Sequence, residues 1–522
     1  VADDTPNPTD PGNDPDQHFQ TDHLRTDMKG RSVRGGAVTV GAGAISFVIS
    51  MASTPILARL LTPHDFGLIG MVAGIIGFIV LFKDMGLSIA TIQKEKINHK
   101  QVSTLFWINI AISVCVMLAT IIAAPVIAWF YQEPVLLLVT LFTAPAQLLS
   151  GLTIQHQALL KRQMRFGTLA GINLTAQLVA IGVGITLAIH DYEVFALVTM
   201  PLSNAITTMM LVWLFCRWRP GRPVRGSGVR EMLKFGGNLT GFNVVNYFVR
   251  ELDNILIGKF GGTDQLGMYK KAYSLLMLPI RQINTPITSV AIPALSRMQN
   301  DPEGYRRYYR KAISVLVFVG MPAVAFATVA AEKVVLIVLG DQWLGTVNMF
   351  IALSPAAFIG TFNVATGWVY MSMGTTDRQF RLGILTSAIT VAAFAAGVWW
   401  GRESGLGTAM GVAIALSATF VVMRYPSVWY CFRGTPLRVR DLGVVLWRPT
   451  LASILAGAVV YVVDHSVDWS LPLLISFIAD FVVYSVAYLA VWFALPGGKS
   501  TVLETFKLVR ELRRPKTKAE PE

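Results

Sequence analysis

Charge is scarce in this chain. Asp, Glu, Lys and Arg together make up 14% of its 522 residues, against about 25% in an ordinary soluble chain, a deficit that points to lipid as the solvent. Cysteine is scarcer still. The three present, Cys115, Cys216 and Cys431, have no paired spacing of the kind that marks a metal or redox site. No Walker sequence occurs, so this chain has no phosphate-cradling loop for ATP hydrolysis. A GxSxG elbow is also missing, as is any long loop bearing His and Arg that could form an outward-facing site for glycan polymerisation or ligation. The opening stretch, acidic and rich in proline, lacks the basic and apolar regions of a signal peptide and is expected to be a disordered tail.

What the chain does have is apolar length. Hydrophobic residues make up 53% of it and the mean hydropathy is +0.54. About fourteen apolar windows, each of about 18–25 residues, match the length that crosses a ~30 Å hydrocarbon core. They fall near 37–60, 68–92, 104–130, 134–158, 168–190, 193–216, 235–258, 272–295, 312–339, 346–373, 380–400, 405–428, 444–463 and 471–495. The net charge of +13 is not a nucleic-acid footprint, because Lys and Arg collect in alternate connections. Examples are Lys94, Lys96 and Lys100, then Lys161, Arg162 and Arg165, then RWRPGRPVRGSGVR, then RRYYRK. That alternation is the positive-inside pattern and places both termini in the cytoplasm.

A repeat runs through the chain at an offset of 200. Arg34 falls on Lys234, Gly36 on Gly236, Gly41 on Gly241, Arg59 on Lys259, Leu60 on Phe260 and Gly67 on Gly267, without a gap. A parallel repeat of this kind relates two bundles about an axis along the membrane normal, with substrate between them. The expected fold is therefore an all-α polytopic membrane protein with two six-helix bundles, 34–216 and 235–428, joined by a basic cytoplasmic linker at 217–234. Two additional transmembrane helices follow within 444–495, and cytoplasmic tails occupy 1–33 and 496–522, the latter basic and amphipathic.

Against this apolar background, the stretch FVRELDNILIG at 248–258 stands out. Asn243, Asn246, Arg250 and Asp253 are spaced +3, +4, +3 and so share one helix face. Arg281, Thr285 and Thr288 do the same in the next window, and Lys83 and Asp84 lie in the second. A charge in mid-bilayer costs about 2.5–3.5 kcal/mol on the gentler insertion scale, so it needs a cavity or a partner. Lys83, Arg250 and Arg281 suit an anionic group such as a diphosphate. Asp84 and Asp253 either neutralise their basic neighbours or bind a coupling ion, and Glu251 either does this or makes a helix contact through Tyr247 or Asn254. Further polar positions are Gln147, Ser150, Gln155, His156, Asn173 and Gln177, then Asn363, Thr366 and Tyr370. Such groups either bond between helices or face a cavity, where they suit sugar hydroxyls. His64, in LTPHDFG, is expected to be solvated at a helix end.

The segments LTPHDFGLIGMVAGIIGFIVLFKDMGLSIATIQKEKINHKQVSTLFWIN and ELDNILIGKFGGTDQLGMYKKAYSLLMLPIRQINTPITSVAIPALSRMQND closely resemble the polysaccharide transporter family. These are the lipopolysaccharide and exopolysaccharide flippases of the multidrug/oligosaccharidyl-lipid/polysaccharide exporter superfamily, and the resemblance covers about residues 30–495. It implies two six-helix bundles in a V that alternate between inward-open and outward-open states, and a multi-pass protein of the bacterial inner membrane without catalytic activity. The implied substrate is an undecaprenyl-diphosphate-linked oligosaccharide, with membrane lipid and other polysaccharide-assembly proteins as partners and no nucleic acid. No cofactor is implied beyond a coupling proton or sodium ion. Lipid II flippases of the superfamily use basic cavity residues and a groove at the two extra C-terminal helices, here 444–463 and 471–495. Alternatives are a cation-coupled multidrug exporter, disfavoured by the basic intrusions, and a membrane glycan polymerase or ligase.

The topology is directly checkable. Reporter fusions at Gly221 and Glu303 should read cytoplasmic and fusions at Asp191 and Ser404 periplasmic; an inverted pair would overturn the fourteen-helix count.

Overall fold

The computed structural model describes residues 28–84, 86–94, 97–224, 230–466 and 471–496, with the side chains of all of these except 28, 29, 31–33, 230–246, 248 and 249. Among the described residues the chain is helical, with fifteen α-helices and no strand. Twelve of them are long and apolar enough to cross a membrane. Bulky apolar side chains such as Ile122, Val126, Trp129, Trp399 and Val422 stand exposed on them. A helix that is apolar on its outward face as well as its inward one belongs in lipid. The protein is a polytopic membrane protein.

The chain divides after Asp264 into two compact units. The first contains α1 (Met28–Leu60), α2 (Pro63–Val80), the short α3 (Leu87–Gln93), α4 (His99–Tyr131), α5 (Val135–Arg162), α6 (Phe166–Ile189) and α7 (Val194–Cys216). It also holds the first part of α8 (Arg230–Arg297), a 68-residue segment broken at Gly262. This segment stands where the seventh and eighth apolar windows were expected, beside the twelve recognised spans. The division by compactness lies beyond the basic linker at 217–234. Part of that linker, 217–224, is strapped to α4: Trp107 donates to the Gly221 carbonyl at 2.8 Å, Gly221 N–H to Ser103 at 2.9 Å, and Val224 N–H to Thr104 at 3.1 Å.

The second unit holds the rest of α8, then α9 (Pro302–Val329), α10 (Ala331–Val338), α11 (Thr346–Ser372), α12 (Thr376–Glu403), α13 (Thr408–Phe432), α14 (Val439–Ser466) and α15 (Leu473–Ala494). Several boundaries differ from the apolar windows. Residues 28–33, expected in the tail, open α1 as helix; residues 1–27 and 497–522 lie outside the described residues. Arg306 to Lys311, expected before the ninth helix, lie within α9. The ninth window, 312–339, is split at Ala330.

The second window is interrupted too. The helix stops at Val80, turns through Leu81 to Asp84, and resumes as α3, so Lys83 and Asp84 stand in a turn and not on a helix. The ends of α3 explain the break. Asp84 accepts from Ser88 N–H at 3.0 Å and from the Ser88 hydroxyl at 2.5 Å. At the other end, buried Arg162 donates to the carbonyls of Thr91, Ile92 and Lys94. An anion at the N-terminus and a cation at the C-terminus match the helix dipole and satisfy its orphan backbone groups. One backbone break is thereby tolerated where lipid alone could not satisfy it.

Backbone-close packing needs glycine in two places. In the second unit, α12 and α13 meet through Gly397, Gly401, Gly407 and Gly411. A Cβ on Gly397 would lie 2.6 Å from the Gly411 carbonyl oxygen and one on Gly401 2.5 Å from that of Gly407, the small-residue spacing by which helices approach in lipid. In the first unit, Thr62 and Asp65 form a reciprocal capping box that starts α2, with Pro63 in the first turn. A Cβ on Gly67 would overlap the Thr263 carbonyl. The neighbouring Gly262 has φ +81°, a backbone conformation that glycine adopts without a Cβ penalty. His64, expected to be merely solvated, meets the Thr263 hydroxyl through Nδ1 at 2.7 Å. The DFG element is thus the seat on which the break in α8 rests.

The last two helices are tied in by an apolar cluster and a buried charge. Phe326 and Ala330 pack with Ala452, Ala456, Val460, Tyr484, Tyr488 and Trp492. Lys333 bonds Asp464 at 2.7 Å and the buried Asp480 at 2.6 Å, joining α10 to both α14 and α15.

The Gly67 contact can be tested in purified protein. Gly67→Ala should cost about 1–3 kcal/mol through overpacking and lower the unfolding temperature, whereas Gly36→Ala, with open space around it, should leave it unchanged. Equal behaviour of the two variants would contradict this account of the α2–α8 contact.

Candidate functional site

Each unit encloses a polar cavity. The first, of about 480 Å³, is in the first unit. It is lined by Lys83, Asp84 and Ser88 from the broken second helix, Ser150, Thr153, Gln157 and Lys161 from α5, Asn173 from α6, and Asn204 and Thr208 from α7. Lys83 is half-buried there, and its ammonium makes no hydrogen bond or ion pair among the described residues. Asp84 is occupied in capping α3. The cavity therefore presents two ammonium groups, Lys83 and Lys161, against one carboxylate already committed to backbone.

The fourth-window residues separate by face. Ser150 lines the cavity, but Gln155 and His156 are fully buried away from it. Gln155 accepts from the Thr91 hydroxyl at 2.9 Å, and His156 stacks on Trp213 with ring centres 4.6 Å apart. Gln177 bonds the Ser46 carbonyl and the Ser50 hydroxyl, tying α6 to α1. Gln147 is not among the cavity-lining residues.

On α8, Arg250 is exposed and makes no hydrogen bond or ion pair among the described residues, so it is not paired with Asp253. Asp253 is buried, and its Oδ1 accepts from Asn254 N–H at 2.8 Å. Glu251 accepts from the Asn254 side chain at 2.8 Å. Tyr247 donates to the carbonyls of Ala73 and Gly74 at 3.1 and 3.0 Å, anchoring α8 on α2. Asn243 and Asn246 lie outside the described side chains. In the second unit Arg281 is exposed without a partner among the described residues. Thr285 bonds back to the Arg281 carbonyl at 2.9 Å, and Thr288 accepts from Trp368 Nε1 at 3.0 Å.

The second cavity, about 280 Å³, lies between α11, α12 and α13. Asn363, Thr366, Tyr370, Gln379, Thr386, Thr390, Thr419 and Arg424 are among its lining residues. Arg424 was not singled out in the sequence, yet it is the cation of this cavity. Its guanidinium lies 4.8 Å from the Phe362 ring centre and donates to Asn363 Oδ1. It sits near the end of the window 405–428, where a charge reads as an interfacial flank. The signal available was its place inside an apolar window. Lys161 escaped for the same reason, as the last-turn residue of α5. A wall of amide, hydroxyl and guanidinium groups can hydrogen-bond several hydroxyls at once.

Comparisons with known proteins agree with this architecture. The family described as polysaccharide biosynthesis protein matches residues 56–348. The chain is 23% identical over 443 residues to the lipopolysaccharide biosynthesis protein WzxC of Escherichia coli (strain K12), covering 84% of this chain and 88% of WzxC. It is 27% identical over 308 residues to the teichuronic acid biosynthesis protein TuaB of Bacillus subtilis (strain 168), covering 58% of this chain and 63% of TuaB. Among solved structures, the lipid II flippase MurJ in an inward closed conformation superposes with a TM-score of 0.69 at 14% identity, over 92% of this chain and all of that one. An inward-facing multidrug resistance MATE family transporter gives 0.58, also at 14% identity, over 76% and 97%. These two likenesses speak for the fold.

The absence of an Arg250–Asp253 ion pair has a measurable consequence. Arg250→Ser strands no partner and should leave the amount of folded, monodisperse protein near wild type. Asp253→Ser removes a buried acceptor and should lower stability by about 1–3 kcal/mol. Size-exclusion profiles and unfolding temperatures check this; equal losses in both single variants, restored in Arg250→Ser with Asp253→Ser, would indicate a structural ion pair after all.

Proposed function

This chain belongs to the polysaccharide biosynthesis protein family that matches residues 56–348, and from that premise we propose that it is a flippase. Its substrate in this reading is an undecaprenyl-diphosphate-linked oligosaccharide, moved from the cytoplasmic to the periplasmic leaflet of the bacterial inner membrane by alternating access. Both termini then lie in the cytoplasm.

The supporting observation is that Lys83, Arg250 and Arg281 make no ion pair or hydrogen bond through their side-chain charges among the described residues. A cation in an apolar chain that is not hydrogen-bonded or ion-paired to a protein carboxylate is held for water or for an anionic ligand. A diphosphate offers the oxygens that ammonium and guanidinium groups bind by charge-assisted hydrogen bonds. In this reading those three residues receive the diphosphate. The hydroxyl and amide wall that includes Asn363 and Tyr370, together with Thr285, faces the glycan, and the prenyl chain stays in lipid, because its transfer to a polar cavity would be unfavourable. Asp253, Asp84 and Glu251 are the carboxylates that pair charge or take a coupling proton or sodium ion in this reading, each also accepting a hydrogen bond from a neighbour on its own segment.

Proteoliposomes carrying a fluorescent undecaprenyl-diphosphate oligosaccharide test the proposal. Wild-type protein should move the label between leaflets, and Lys83→Ala or Arg281→Ala should slow it about tenfold to a hundredfold, the loss of one charge-assisted hydrogen bond, while inserting normally. Unchanged rates in both variants would remove the diphosphate role, and ion-driven export of cationic dyes without lipid translocation would favour a drug exporter instead.

A further inference from the structure

A further cavity exceeds both of these in volume. Of about 830 Å³, it opens at the end of the second unit where α9 and α14 begin and α15 stops, and it is lined by Glu303, Arg306, Arg307, Arg310, Lys311, Ser314, Val444, Val445, Arg448 and Trp492. Arg307, Arg310, Lys311 and Ser314 follow one another at +3, +4 and +7 from Arg307, so α9 turns one basic face into the cavity. Arg448 faces them from α14.

One acid beside this cluster is already used. Asp441, buried with its side chain 3% exposed, accepts from Arg306 Nε at 2.7 Å and lies 2.6 Å from its terminal nitrogen. Its other oxygen accepts from Arg438 N–H at 2.8 Å. Arg306 and Asp441 thus fasten α9 to α14 and contribute no net charge. Arg307, Arg310 and Lys311 remain on α9, Arg448 lines the opposite wall, and Glu303 is the single carboxylate among the lining residues. Arg307, Arg310 and Lys311 make no ion pair among the described residues. The inner wall is apolar, formed by Val444, Val445 and the ring of Trp492, which continues into the cluster that seats α14 and α15 on α9.

From these features we infer that the cavity binds the phosphate headgroup of a membrane lipid, separately from the cations assigned to transport above. A cavity of this size falls within the range of ligand sites. Guanidinium groups take phosphate oxygens bidentately, and basic pockets between membrane helices near the bilayer surface suit anionic headgroups. Cations that merely reach toward water from an apolar helix need no enclosing cavity. The valine and tryptophan wall accounts for a lipid, since free phosphate has no apolar root to place there. The occupied site would brace α9 against α14 and α15.

Full-length protein purified in an uncharged detergent is the material for the test. Dioleoyl phosphatidylglycerol added to the micelles should raise the unfolding temperature and remain as one retained lipid in native mass spectra, while dioleoyl phosphatidylcholine should do neither. The triple variant Arg307→Gln, Arg310→Gln, Lys311→Gln should weaken phosphatidylglycerol binding about a hundredfold yet keep the wild-type unfolding temperature in lipid-free detergent. Arg448→Gln, a change on the opposite wall, should weaken binding while keeping α9 intact, and so covers the case in which the triple variant fails to fold. Undiminished binding by both variants would overturn the site. Inorganic pyrophosphate binding as tightly as the lipid would overturn the lipid assignment, because the apolar wall would then contribute nothing.

Discussion

Water is missing from the environment of most of this chain, and each backbone group or charge must therefore be satisfied by the protein itself. Helix is the default answer for the backbone. The places where helix stops are the ones that need special residues. The break between α2 and α3 is held by Asp84 at one end of α3 and Arg162 at the other. The break at Gly262 rests against the start of α2, where Gly67 admits the Thr263 carbonyl. Each interruption is thus stabilised by a particular contact.

The same constraint sorts the charges. Some are consumed by architecture: Arg162 on three carbonyls, Arg306 on Asp441, Lys333 on Asp464 and Asp480. These belong to the helix ends and joints, where a fixed partner removes the cost of burial. Among the described residues others make no hydrogen bond or ion pair through their side-chain charges, Lys83, Arg250 and Arg281 among them. A polysaccharide biosynthesis family member with the fold of a lipid II flippase has a physical use for cations left available in this way, because its proposed cargo carries its negative charge on the group that must leave one membrane surface for the other.

Architecture and ligand binding also meet in the last two helices. Read as an addition to a twelve-helix repeat, they look dispensable. Their aromatic face against α9, the Lys333 bridge, and the basic cavity bounded by Arg448 and Trp492 make them instead part of how the second unit is closed. A lipid headgroup in that cavity would add a ligand to the same joint.

Hydropathy and charge alternation determined the class of this protein, because about twenty apolar residues in a row have one stable solution in a bilayer. The offset of 200 made an internal repeat legible, and the DFG and LDN elements pointed to a transporter of glycan precursors. Which polar residues share a cavity was decided only by tertiary structure. Ser150 and Gln155 lie on one helix, but helix rotation sends the first into a cavity and the second into the core. Lys83 and Asp84 are neighbours in sequence, but a turn frees the lysine while the aspartate caps α3. Arg424 and Asn363 lie 61 residues apart and meet because α11 and α13 cross. A sequence window carries the free energy of transfer for a segment; it does not carry the rotation and crossing of helices, which packing sets and which decide what each charge touches.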